Sequence, residues 1–373
     1  MNAAPVAVLE VVVSSSAGGG PQHVLTLAGG LRQYGWRPIV VGPPGGALIQ
    51  RFGDIGVQFL PLPTDRLRPS TLPRLVRLAR DLGVRLIHSH GKGAGMYARL
   101  AAHRLRLPAV HTFHGIHVDR YGALGRRAYV ALERQLSRWT DVVINVSRAQ
   151  EREGLALGLF TRRQSCVVRN GVDVARLMSS ALERQDARRA LGVDLHGPLI
   201  GCAARFDEVK RLDVVLEAAA IASARVPSLR VVLIGRGREE ARLRALTARL
   251  ELDNRVTFAG EIPDAAHLFR AFDLYCASSR REGAPLSVLE AMALGVPVLA
   301  SDIPAHRELL GDASRSLVPL APAAFAGTIS ALMSDPEART ALGAQQRTRA
   351  RSEFDVRESV TATAAIYRHV VGM

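Results

Sequence analysis

Short apolar runs, each followed by a segment of helical spacing, recur along the whole chain, and this alternation limits the fold more than any other feature. Val6–Val13, Arg37–Val41, Arg85–His88, Ala109–Phe113 and Asp141–Val146 are short and rich in β-branched residues, as strands buried on both faces must be. Pro21–Tyr34, Leu72–Leu82, Ala94–Leu105, Leu124–Trp139 and Arg148–Leu157 carry helical spacing between and after them, the first with Pro in its opening turn. The second half repeats the scheme. Its strands are expected at Leu199–Ala203, Arg230–Ile234, Arg255–Phe258, Leu274–Ala277 and Pro297–Ala300. Its helices are expected at Leu212–Ala224, Glu239–Leu250, Ala265–Ala271, Leu286–Leu294 and Ala323–Met333. Such alternation predicts the α/β class, with mostly parallel, doubly wound sheets covered by helices on both faces.

A chain of 373 residues is too long for one ordinary core, so two domains are expected. The pattern divides it into a Rossmann-like domain over 1–175, a charged, Ala-rich linker over 176–197 and a second Rossmann-like domain over 198–353, the two domains facing a cleft. The last helical segment, 354–373, has no strand after it and is expected to pack back on the first domain. The three cysteines are scattered, with no disulfide or metal spacing. The first apolar run lacks a basic leader and is broken by Glu10, so it reads as a strand and not a signal peptide. The longest uncharged stretch, Ser316–Ser334, is broken by Pro319, Pro322 and Gly327 and reads as strand, turn and short helix. A cytoplasmic protein is expected.

Charge is unevenly placed. Residues 1–175 hold 23 Lys+Arg against 10 Asp+Glu, while residues 176–373 hold 26 against 24. The excess gathers at Arg66, Arg68, Arg74, Arg77, Arg80 and Arg85, and again at Arg99, Arg104, Arg106, Arg120, Arg126, Arg127, Arg134 and Arg138. A one-sided basic region points to an anionic partner, such as a lipid-linked acceptor or the headgroups of the cytoplasmic membrane face. Nucleic acid is disfavoured, because aromatic residues make up only 5% and no binding motif is present. Among 49 basic residues only Lys92 and Lys210 are lysine, which suggests places where a compact ammonium cannot be replaced by a planar fork.

The densest chemistry lies between Arg281 and Ser301. Glu282 sits in a loop and Glu290 eight residues later on an apolar helix, with Gly283 and Pro285 between them. Free amides at a helix N-terminus suit an anion, and carboxylates accept hydrogen bonds from sugar hydroxyls. One short segment can therefore grip a sugar joined to a diphosphate. Arg205 at a strand end and Lys210 five residues on can converge on a diphosphate and neutralise it as a leaving group. Gly18, Gly19 and Gly20 open a helix after the first strand, and Gly235 and Gly237 close a later one, both allowing close approach of backbone to ligand. Neither has the spacing of a dinucleotide or P-loop fingerprint. His88, His90, His111, His114 and His117 lie at two strand ends. A zinc-dependent hydrolase using His88, His90, His111 and His114 is one alternative; opposite-facing strand positions and the lack of a carboxylate cluster speak against it. A non-catalytic nucleotide-sugar-binding protein is another.

Taken together these motifs resemble the retaining glycosyltransferases of the GT-B fold, family 4, over nearly the whole chain. The E-x7-E segment Glu282–Glu290 is the most specific, supported by Val256–Gly260, Asn170–Asp173, Ile87–Lys92 and Thr112–Gly115. The last two runs look like those of bacterial exopolysaccharide and lipid-linked sugar transferases. The resemblance implies transfer of a sugar from a nucleotide-diphosphate donor, most commonly UDP-linked, to an acceptor hydroxyl without a metal ion. It implies that His114, Arg205, Lys210 and Glu282 act at the reacting centre. Gly19, Gly20, Gly235, Phe258, Gly283, Ala284, Leu286, Ser287 and Glu290 would bind the donor, with Glu290 on the ribose. His90, Lys92 and Asn170 would meet the acceptor. One departure stands out: the lysine of the cationic pair is usually followed by Gly, and here by Arg211.

Overall fold

The structure is a computed structural model, and it describes residues 4–16, 18–116, 118, 121–312 and 314–373. The chain forms two compact units, one of residues 1–170 with 356–373 and one of residues 171–355.

The first unit is a parallel sheet of seven strands: β1 (Val6–Val12), β2 (Trp36–Gly42), β3 (Gln58–Pro61), β4 (Leu86–His90), β5 (Ala109–Phe113), β6 (Val142–Asn145) and β7 (Ser165–Val167). Their order is β3-β2-β1-β4-β5-β6-β7. The second unit has six parallel strands, β8 (Leu199–Ala203), β9 (Arg230–Ile234), β10 (Val256–Gly260), β11 (Leu274–Ala277), β12 (Val298–Ser301) and β13 (Leu317–Val318), in the order β10-β9-β8-β11-β12-β13. Each sheet therefore reverses its winding once, between β1 and β4 and between β8 and β11. At such a switch point the connecting loops diverge to opposite faces and leave a crevice at the carboxyl ends of the strands.

The central strands are buried on both faces, which is why they read as continuous apolar runs. β4 and β5 break that rule. His88, Ser89, His90, His111 and Thr112 are all buried, as is Glu10 in β1. Buried polar groups in mid-sheet must find partners; each of these residues has one, as described below, while His111 Nε2 has none among the described residues.

The helix Val356–Val371 packs on the helix Gly19–Leu31 in the first unit, through a stripe of Val360, Ala364 and Tyr367. A Cβ at Gly30 would lie 2.9 Å from Val360, so the close approach needs that glycine. Tyr367 ends edge-on to Trp36, with ring centroids 5.3 Å apart.

The stretch 176–197 is not an open linker. It lies within the second unit and contains most of the helix Val174–Ser180 and all of the helix Arg184–Ala190. Arg188 is fully buried there and donates to the carbonyl of Ala271 at 2.9 Å and to Asp273 at 3.0 Å. Its charge density had suggested a solvated connector; buried pairing with Asp273 satisfies it instead. The chain returns beside its own entry, with Val172 N–H donating to the Phe354 carbonyl at 2.8 Å. No helix of the described residues is long and apolar enough to cross a membrane.

Candidate functional site

In the second unit the switch point gathers the loops after β8 and β11. Lys210 closes a short 3-10 turn after β8 and donates to Glu282 Oε1 at 2.5 Å. Ser279 Oγ donates to the same oxygen at 2.6 Å. Burial pushes the Glu282 carboxyl up, but the charge of Lys210 and the bonds from Lys210 and Ser279 outweigh it and hold it below the usual carboxylate range. Glu282 is thus an ionised, acceptor-only group. Arg205 pairs with Asp207 while its side chain stays 62% exposed, so it is free to turn toward an arriving anion.

The helix Leu286–Ala293 follows Pro285, an N-cap residue whose side chain makes no capping hydrogen bond. Six of its eight residues are buried in the core; Ser287 and Glu290, three apart, form its one open face. Gly283, Ala284 and Leu286 are buried just before and within that first turn. Ser287 also hydrogen-bonds buried Tyr275, whose hydroxyl donates to the Ala203 carbonyl at 2.9 Å and so ties this helix to the end of β8.

Gly235 has φ 137°, and a Cβ there would lie 1.9 Å from the Ala204 carbonyl oxygen; at Gly237 it would meet the Phe206 oxygen at 2.3 Å. What these glycines admit is the neighbouring loop that carries Arg205. Phe258, on β10, lies under the Arg244 guanidinium at 4.2 Å. Arg211 takes φ 48°, the left-handed conformation that a glycine adopts freely, which gives the usual glycine after the lysine its physical reason. The Arg211 side chain compensates by bonding Asp213 at 3.0 Å, and Ser278 Oγ holds the carbonyls of both Lys210 and Arg211.

The first unit's switch point gathers a different set. Gly19 and Gly20 open the helix Gly19–Leu31, and a Cβ on Gly20 would touch the His114 ring at 3.5 Å. His114 Nε2 lies 3.1 Å from His90 Nδ1, and His90 Nε2 lies 2.8 Å from Glu10 Oε2. His23 stands edge-on to His114, ring centroids 4.9 Å apart, and is hydrogen-bonded by Asn170. Lys92 is engaged with two tyrosines: its Nζ sits 4.4 Å over Tyr121 and 3.9 Å over Tyr129, donating to the Tyr121 hydroxyl at 3.0 Å. A compact ammonium fits between two rings, which is a structural use for that lysine.

Two family models match the chain: glycosyl transferases group 1 over residues 183–349, and glycosyltransferase family 4 over residues 17–176. It is 30% identical over 295 residues to EpsD of Bacillus subtilis (strain 168), a protein named as a glycosyltransferase, covering 77% of each chain. The chain belongs to glycosyltransferase family 4. This glycosyltransferase is also 27% identical over 250 residues, 65% of its chain and 71% of the other, to the lipopolysaccharide core biosynthesis mannosyltransferase LpsB of Rhizobium meliloti (strain 1021). Its fold matches Anabaena HepE, solved in complex with UDP and glucose, at a TM-score of 0.86 and 21% identity, over 98% of this chain and 100% of that one. Its two parallel-sheet, Rossmann-like domains are those of the GT-B fold.

The four-histidine constellation does not assemble in this glycosyltransferase. His88 and His90 share one face of β4, while His111 pairs in register with Ser89 and faces the other way, its Nδ1 2.8 Å from Ser89 Oγ. His117 lies outside the described residues. Ring nitrogens of His23, His90 and His114 do lie within 4.8 Å of one another, but His90 and His114 already bond each other through Nδ1 and Nε2, and His90 Nε2 bonds Glu10. Arg99, counted in the basic region, is buried and bonds Glu133 at 2.7 Å, so it adds nothing to a surface patch; Arg120 lies outside the described residues.

Three residues near the two switch points escaped the sequence reading of the site: Glu10, His23 and His306. His306 is buried beside Glu282 and Lys210, with Nδ1 held 2.8 Å from the Ser301 carbonyl and no partner for Nε2 among the described residues. The polar interruption of an otherwise apolar β1 was the one available signal for Glu10.

Proposed function

We propose that this chain is a retaining, metal-independent glycosyltransferase that moves a sugar from a UDP-sugar to a hydroxyl of an anionic or lipid-linked glycan precursor. The observation that carries the reading is the cluster at the second switch point. An ionised Glu282, two cations and a helix N-terminus stand together where a doubly wound sheet receives ligands. UDP in the complex of HepE supports uracil as the base. Glu290, on the open face of its helix, would accept from the ribose hydroxyls. The first-turn amides around Ala284, Leu286 and Ser287 would hold phosphate and sugar. The incoming diphosphate would draw Arg205 from Asp207 and share Lys210 with Glu282, and both cations would then offset the charge that develops as the glycosidic bond breaks. Glu282 bonded to Lys210 is a poor nucleophile, which favours front-face attack with the leaving phosphate taking the acceptor's proton. His114 would contact a hydroxyl at the first switch point, beside His90 and Asn170.

The acceptor reading rests on surface chemistry of the first unit. Arg66, Arg68, Arg126 and Arg127 are exposed in the same segments as exposed Leu67, Tyr121 and Leu124, a mixture suited to anionic headgroups. That mixture supports a position at the cytoplasmic membrane face. Transfer assays with UDP-sugars, run with and without chelator, test the enzyme reading, and co-sedimentation tests the membrane reading. Equal recovery on neutral and anionic vesicles at low salt would sink the latter.

A further inference from the structure

Glu10 is wholly buried in β1, and every partner it has reaches it from a distant part of the chain. The Tyr367 hydroxyl donates to Oε1 at 2.7 Å, and His90 Nε2 lies 2.8 Å and His88 Nδ1 3.2 Å from Oε2. His88 Nε2 in turn faces the Thr112 hydroxyl at 2.8 Å. Burial works to raise the Glu10 carboxyl, but the charge interactions with and hydrogen bonds from His88 and His90 prevail and hold it far below the usual range. Burial also pushes His90 down to about 4, with His88 adding to the shift and Glu10 opposing it, so His90 is neutral near pH 7.

These facts fix the direction of each bond. An ionised carboxylate has no proton to give, so His90 Nε2 carries one. A neutral imidazole carries only one, so His90 Nδ1 is a lone pair. The proton in the 3.1 Å contact between His90 Nδ1 and His114 Nε2 then belongs to His114, and His114 Nδ1 is left as a lone pair. Among the described residues nothing hydrogen-bonds that nitrogen. The reverse arrangement would turn an imidazole lone pair onto the buried carboxylate. His23, edge-on to His114, is pushed down to about 3, chiefly by burial, and brings no charge near pH 7.

We propose that Glu10 and His90 are positioning residues that hold His114 as its Nε2–H tautomer, so that His114 meets a substrate hydroxyl as an acceptor through Nδ1 and not as a donor. This rests on the reading that His114 contacts a substrate hydroxyl. An acceptor at that place draws hydroxyl hydrogen toward itself and leaves the oxygen more electron-rich, whereas the Nδ1–H tautomer would do the opposite.

Ring-nitrogen NMR of the full-length protein labelled with 15N-histidine reads the tautomers directly, with assignment by single His→Gln variants. The expected result near neutral pH is a proton on Nε2 of both His90 and His114. Protonation of His114 on Nδ1 overturns the proposal, and so does a stoichiometric metal ion in the purified protein whose removal changes the His114 signals. In Glu10→Gln the His90 tautomer should become mixed, and kcat should fall about 10- to 100-fold with the donor KM within about twofold. Glu10→Asp should recover part of the loss, and the pH profile of kcat should shift in both variants. Unchanged tautomers and kcat in Glu10→Gln would also overturn it. The NMR result stands whether or not turnover is found: the expected tautomer with no transfer from any sugar nucleotide would count against the enzymatic reading alone.

Discussion

Replacing Lys210 by Met tests the second-unit cluster most sharply, because it separates stability from chemistry. The side chains of Lys210 and Glu282 are 21% and 12% exposed, so the pair is largely, though not wholly, withdrawn from water. Removing one partner of a fully buried pair costs about 3–5 kcal/mol, because the other charge is left uncompensated. Residual solvent contact, together with the Ser279 bond to Glu282, lowers the expectation here to about 2–3 kcal/mol. For a unit of this size that is a fall of roughly 4–12 °C in Tm. The sign of the pH dependence also follows. In the parent the Glu282 carboxyl is depressed, so its contribution is present above the ordinary carboxylate value of 4.5 and lost as pH falls below it. In Lys210→Met burial is opposed by the Ser279 bond and the neighbouring His306 without the lysine charge, and the carboxyl rises. Its penalty is then fully present near neutral pH and fades toward acid, where the group is protonated both folded and unfolded. Adding Glu282→Gln removes the stranded charge and should restore stability to within about 1 kcal/mol of the parent. It should not restore sugar transfer, because the cation proposed to meet the diphosphate is still missing. Urea unfolding of the three variants at several pH values, beside turnover, measures all of this. A single variant as stable as the parent, or a double variant no better than the single, would refute the reasoning.

Other consequences follow from single positions. Gly235→Ala forces a Cβ to within 1.9 Å of the Ala204 carbonyl at φ 137°, and should cost at least about 2 kcal/mol and weaken nucleotide binding in a titration. Arg211→Gly should be more stable than Arg211→Ala by about 1 kcal/mol in denaturant melts, since both lose the Asp213 bond but only Gly adopts φ 48° without strain. Tyr367→Phe leaves the buried Glu10 one donor short and should cost about 1–3 kcal/mol, read as a lower urea midpoint. Burial holds His23 at about 3 and His90 at about 4, against 6.5 when unfolded. The unfolded chain therefore binds more protons below that value, and stability should start to fall as pH drops through about 6.5, by about 1.4 kcal/mol per pH unit for each such histidine. Melts between about pH 7 and pH 5 that show no loss would contradict it.

The core strands were legible because burial on both faces leaves an unbroken apolar signature: Leu199–Ala203, Arg230–Ile234 and Leu274–Ala277 are found as the pattern predicts. The edge strands Gln58–Pro61 and Ser165–Val167 were not read, because neither contains a fully buried residue and each is short. The helix Pro336–Glu353 escaped for a related reason. It buries only Gly343, Gln346 and Ala350, and it docks by polar bonds from Gln346 to the backbone of Val298 instead of an apolar stripe. Glu282, Lys210 and Arg205 were singled out from local spacing around strand ends, and the structure brings Lys210 and Glu282 into contact. The first-unit network could not be found that way. Glu10 reaches His90 across 80 positions and Tyr367 across 357, so no local pattern connects them.

The claim at the centre of this account is that the second unit grips a sugar nucleotide through the face that bears Glu290 and the cations beside Glu282. Isothermal titration of UDP, GDP and ADP with the parent protein and with Glu290→Ala tests it most directly. The account predicts saturable UDP binding by the parent, at least tenfold weaker binding by a Glu290→Ala variant with an unchanged Tm, and poorer binding of the other two nucleotides (about 1.4 kcal/mol per tenfold). Equal UDP binding by the two proteins, or none by the parent, would contradict it.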